Sequence, residues 1–154
     1  MNRIAALSVL MTLVACKKEE GEDPLLHACE QIAEPGTAVD AAADRADAPA
    51  VTVNEAPFTV TLVDGAAGFV AVEVTEDTPA ILFAGTADVV TSLWHDDAEE
   101  TLPTPAPNDD CPDDIPEHFD LDLHVGTWNI GVGPAGVSEV WLMLSPAGDH
   151  AHEE

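Results

Sequence analysis

Six histidines stand among thirty carboxylates in this chain, and imidazole with carboxylate is a donor set that Zn²⁺, Cu²⁺ and Ni²⁺ all accept. The densest group is Asp149-His150-Ala151-His152-Glu153-Glu154. In an extended segment His150 and His152 project to the same side. Two ligands hold an ion only weakly, and a useful site needs three or four. His27, His118, Asp122 and His124 are the candidate partners. Asp122 and His124 lie two apart on an alternating run, about 6.6 Å along a strand, a spacing that long ligands can close by converging on one ion. Asp120, Asp122 and His124 equally describe a plain solvated strand face, and a short polar terminal run is often functionless, so both readings stay open. His95, between Trp94 and Asp96-Asp97, reads as an ordinary strand-end residue.

Calcium would need hard oxygen ligands, which Asn108-Asp109-Asp110 and Asp113-Asp114 offer. Their spacing lacks the alternate ligands and sixth-position glycine of an EF-hand. The run therefore reads as a solvated acidic loop, and a transition metal is the preferred cation.

Catalytic patterns are missing from the sequence. It has no Gly-x-Ser-x-Gly elbow, no phosphate-cradling loop and no His-Glu-x-x-His, and Gly131-Val132-Gly133 lacks the rest of a dinucleotide fingerprint. Carboxylate pairs will occur by chance among so many, and only coordinates reveal a pair across a cleft. With no tyrosine and three tryptophans, an aromatic sugar platform is weakly supported. The expectation is a protein that is not an enzyme.

The elements that position these residues begin with a processing signal. Arg3 supplies a positive n-region, Ile4 to Val14 carries no charge, and small residues precede Cys16. This run is too short for a bilayer span, which takes roughly 20 residues. Leu13-Val14-Ala15-Cys16 resembles the lipobox of bacterial lipoproteins. That resemblance implies removal of residues 1–15 and acylation of Cys16, whose several chains would satisfy the need for more than one membrane signal. Lys17 stands where, by similarity to enterobacterial sorting, an Asp would favour the inner membrane, so outer-membrane attachment is expected. An ordinary signal peptide with a coincidental cysteine is the plainer alternative.

Loss of Arg3 leaves Lys17, Lys18 and Arg45 against 30 acidic residues. Such a chain repels nucleic acid and anionic headgroups, and its natural counter-species are cations. The same composition also simply keeps a protein soluble. With Cys16 assigned to lipid by the resemblance, Cys29 and Cys111 remain as a pair in an oxidising compartment, where disulfides persist. A bond between them closes a loop of about 80 residues, for which chain entropy gives at most about 4 to 4.7 kcal/mol. A thiol metal site or catalytic cysteine is the alternative, though no Cys-x-x-Cys spacing supports it.

After a tether at 16–23, one domain is expected over 24–146, followed by a His/Glu-rich tail at 147–154. Asp23 as N-cap and Pro24 at the first helical position predict a short helix to Ala33, closed by Pro35-Gly36. The Ala- and Asp-rich stretch to Pro49 reads as a loop or weakly held edge. Beyond it Phe58-Val60-Leu62 and Val70-Val72-Val74 alternate on either side of an Asp64-Gly65 turn signal, and residues 79–84 and 87–95 supply two more strands. A long acidic loop from Asp96 to Glu117 follows, with Cys111 as its tie. Phe119-Leu121-Leu123 and Trp128-Ile130-Val132 then read as a hairpin about Val125-Gly126, and Val137 to Leu144 as a strand covered on both faces. The fold class expected is all-β, an antiparallel, jelly-roll-like β-sandwich of about seven or eight strands with a short N-terminal helix.

Phe119 to Leu144 also resembles the C-terminal half of bacterial pre-peptidase C-terminal domains, with an alternating strand, a Gly turn, an aromatic-led strand and a last apolar strand. Trp128 stands where that family more often has tyrosine. The resemblance implies a non-catalytic accessory module for matrix, polymer or cations. Two functions are thus expected. One is a lipid-anchored envelope module that binds or buffers Zn²⁺, Cu²⁺ or Ni²⁺, and the other is a structural or adhesive module contacting an envelope protein or polysaccharide.

Overall fold

Alternation with a period of two is realised as burial on one face. In β8 (Glu117–Leu123), Phe119, Leu121 and Leu123 are buried while Asp120 and Asp122 are exposed. The computed structural model describes residues 23–147. Within them lie α1 (Pro24–Gln31), β1 (Thr37–Asp40), β2 (Ala50–Val51), β3 (Pro57–Thr61), β4 (Gly68–Val74), β5 (Thr78–Ala84), β6 (Val90–His95), β7 (Ala98–Glu100), β9 (Gly126–Val132) and β10 (Glu139–Pro146).

The strands form two five-stranded sheets, ordered β1-β3-β10-β5-β8 and β2-β4-β9-β6-β7. Their facing surfaces share one core, to which Val60, Leu82, Phe119 and Leu142 come from the first sheet and Val72, Leu93, Trp128 and Ile130 from the second. The protein is thus mostly β with one short helix, as its alternation predicts. The sheets are not wholly antiparallel, however. β1 pairs with β3, and β2 with β4, in parallel. Both added strands are short and lie at a sheet edge, each giving the core a single valine, Val39 from β1 and Val51 from β2.

The segments around Val125-Gly126 do not form a hairpin, because β8 pairs with β5 in the first sheet and β9 with β4 and β6 in the second. Val125-Gly126 instead carries the chain from one sheet to the other. The Asp64-Gly65 turn does the same between β3 and β4, with Asp64 at φ 53°. The long acidic loop also contributes a strand of its own, β7, which makes a true hairpin with β6.

The outer face of the first sheet is covered by α1. Asp23 caps the helix by accepting from the Leu25 amide at 3.0 Å, as its type and position predict. Ala28 packs with Ile81, Phe83, Ile115 and Met143 in a smaller apolar cluster. Cys29 and Cys111 are disulfide-bonded, with Cα atoms 5.8 Å apart. β10 is consequently buried on both sides, by Val140, Leu142 and Leu144 inward and by Met143 outward.

Candidate binding site at the Asp122 and His124 strand end

The end of β8 leads into a corner held from several directions. Val125 donates its amide to Asp77 Oδ1 at 3.0 Å, and His124 Nδ1 lies 3.4 Å from Asp77 Oδ2. The Val125 amide chiefly, and the His124 side chain next, hold the Asp77 carboxyl below the usual carboxylate range. Trp128 Nε1 donates to the His124 carbonyl at 2.8 Å. Each of these bonds fixes the point from which the His124 ring projects.

Facing this corner across the open edge between the sheets are β6 and β7. His95 stacks on Trp128, and its Nε2 lies 3.1 Å from the Val125 carbonyl oxygen. Leu93, His95, Glu100, Asp122, His124 and Trp128 line a cavity of about 190 Å³. Two imidazoles and two carboxylates thus border one concavity with an apolar floor. Among the described residues no three His, Cys, Asp or Glu side chains are grouped closely enough to hold a metal ion. The domain itself therefore offers ligands singly or in pairs.

The other candidates go elsewhere. His118 stands opposite Phe83 near the start of β8, four residues from Asp122 and so roughly 13 Å along the strand. Its Nδ1 is buried with no hydrogen-bond partner, and its ring centroid is 6.0 Å from that of Phe83. His27 lies on α1, with Nε2 3.3 Å from the Glu55 carbonyl oxygen. Neither joins Asp122 and His124. Cys16, His150 and His152 lie outside the described residues.

In the acidic loop, Asn108 is fully buried and structural. It donates to the Leu25 carbonyl at 2.8 Å and accepts from the Asp110 amide, tying the loop to α1. Asp109, Asp110, Asp113 and Asp114 face solvent, in keeping with a solvated loop. His95, Glu100 and Asp77 are the residues that sequence reasoning missed at this site. Each lies some twenty or more residues from His124, and no local spacing marks them as its neighbours. No family model matches the chain, and the curated proteins include none with significant similarity to it.

Proposed function

We propose that the mature chain is a non-catalytic binding module of the bacterial cell envelope, anchored by acylated Cys16, that holds a divalent transition-metal ion beside Asp122 and His124. The lipobox-like Leu13-Val14-Ala15-Cys16 motivates the anchor, and the Cys29–Cys111 bond suits an oxidising compartment. The orders β3-β10-β5-β8 and β4-β9-β6-β7, with the chain passing back and forth between the sheets, support the reading of a jelly-roll-like frame whose loops and strand ends serve binding.

One observation carries the metal reading. The Ala147 amide donates to the Pro79 carbonyl at 2.9 Å, and Pro79 pairs with Asp122 across β5 and β8. The chain therefore leaves β10 at the same end as Asp122 and His124, one strand away from β8 or about 10 Å. Three further residues span up to about 10 Å, which is sufficient to bring His150 and then His152 to that corner. Asp122 and His124 from the domain with His150 and His152 from the tail make four donors, the number a well-held zinc requires. The acidic chain lowers the electrostatic cost of holding the cation. Protons compete for imidazole nitrogen, so affinity falls on acidification.

Calorimetric titration of the mature domain with Zn²⁺ tests this. Deleting residues 149–154, or His124→Ala, is expected to weaken binding at least about tenfold, or about 1.4 kcal/mol. An unchanged isotherm in both variants, or no binding by the intact domain at millimolar Zn²⁺, would overturn the reading in favour of a structural or adhesive module.

A further inference from the structure

The outer face of the second sheet carries a polar anchor that its surroundings do not satisfy. Asn129 lies in β9 between the inward-facing Trp128 and Ile130, so its own side chain stands on the outer face. It is nevertheless only 5% exposed, and its Oδ1 has no hydrogen-bond partner. Buried amide groups are ordinarily paired, and the missing partner is a standing cost that a ligand could remove.

Asn129 borders an open cavity of about 400 Å³ together with Arg45, Ala46, Asp96, Asp97 and Thr127, a size within the roughly 300–1,000 Å³ of small-ligand sites. Its walls are preorganised. The Asp96 amide donates to the Thr127 carbonyl at 2.7 Å, and Asp96 Oδ1 accepts from the Thr127 amide at 3.1 Å. Arg45 is the sole Lys or Arg among the described residues. Its guanidinium carbon lies 3.9 Å from the Trp94 ring centroid, and it donates to the Asp96 carbonyl at 3.2 Å.

This donor set selects by charge. Arg45 opposes a bound cation, while Asp96, Asp97 and the field of a strongly acidic chain oppose an anion. A hydroxyl group can donate to Asn129 or a carboxylate and also accept from Arg45. We propose that this cavity is a binding site for a neutral saccharide, held by hydrogen bonds rather than by an aromatic platform, since Arg45 covers a face of Trp94. The site is on the opposite sheet from His118 and Asp122 and does not depend on the metal reading.

The test titrates the mature domain, in EDTA, with maltotetraose, cellotetraose, xylotetraose and chitotetraose at up to millimolar concentrations, using calorimetry and tryptophan fluorescence. At least one is expected to bind saturably. Arg45→Gln and Asp97→Ala, both changes at the open rim, are expected to weaken that saccharide at least about tenfold, as is Asn129→Leu where thermal melting shows it folded. Deleting residues 149–154 is expected to leave the affinity unchanged. No saturable binding of any saccharide, affinities within twofold of wild type in both rim variants, or binding of inorganic phosphate in place of sugars would overturn the proposal.

Discussion

The imidazole of His95 lies flat on the indole of Trp128, with 4.5 Å between ring centroids and 7° between ring planes. The two residues are opposite one another in β6 and β9, so the stack closes the end of that strand pair. Trp128 Nε1 and His95 Nε2 also reach the carbonyl oxygens of His124 and Val125. A single aromatic pair thus grips the corner where the chain changes sheets.

Gly126 follows that corner at φ +143°, and a Cβ there would come within 2.5 Å of His95 Nε2 and 3.1 Å of Asp96 Oδ1. Gly126→Ala is therefore expected to cost about 1–3 kcal/mol, through a backbone conformation that L side chains rarely adopt and through displacement of His95. Urea denaturation measures it. A midpoint equal to wild type would contradict the role given to the corner.

Asp77 sets an acid dependence. Its carboxyl is held below 3.8 in the folded protein by the Val125 amide first and His124 second. A depressed folded value contributes stability that is present above 3.8, and that stability is lost as the pH falls through the lower folded value. Asp77→Asn keeps an acceptor for Val125 but not the charge. The wild type should be the more stable at neutral pH, with the difference shrinking towards the acid end in urea midpoints collected across pH. A difference that grows on acidification would reverse the assignment.

The disulfide holds α1 and the acidic loop over Phe83 and Met143. Replacing Cys29 and Cys111 together by alanine is expected to cost about 2–4 kcal/mol. The larger core between the sheets does not include the cysteines, so far-ultraviolet dichroism should retain its β signature while binding of a hydrophobic dye rises. Equal stability of the double variant would show that helix packing alone holds the cover in place.

Cys16→Ser is expected to accumulate as an unprocessed precursor, because lipidation precedes cleavage in the lipoprotein route that Leu13-Val14-Ala15-Cys16 resembles. Intact mass spectrometry of membrane fractions distinguishes the outcomes. A mature wild-type N-terminus at any residue other than Cys16 would exclude the anchor.

Much of the local structure was legible in the residues themselves. Asp23-Pro24 marks a helix start because one side chain caps an amide and the other needs none. Phe119-Leu121-Leu123 and Trp128-Ile130-Val132 mark strands because alternate side chains must share a face. The candidate site was legible only in part. Asp122 and His124 are spaced to act together, but His95 and Glu100 reach them from other strands across the edge between sheets, and His118, on the same strand, points to no shared site.

By itself the sequence determined the extended segments β3 to β6 and β8 to β10 and the turns between them, but not the strand β7 inside the acidic loop. Tertiary structure decided which strands are neighbours. Val125-Gly126 and Asp64-Gly65 have the residues of tight turns, yet both join different sheets, and β1 and β2 add in parallel where an antiparallel sheet was expected. Side-chain alternation has the same period whether the next strand pairs with its predecessor or crosses to the facing sheet. The choice rests on backbone hydrogen bonds and apolar contacts with residues far away in the chain, whose gain appears only when both layers close on one core.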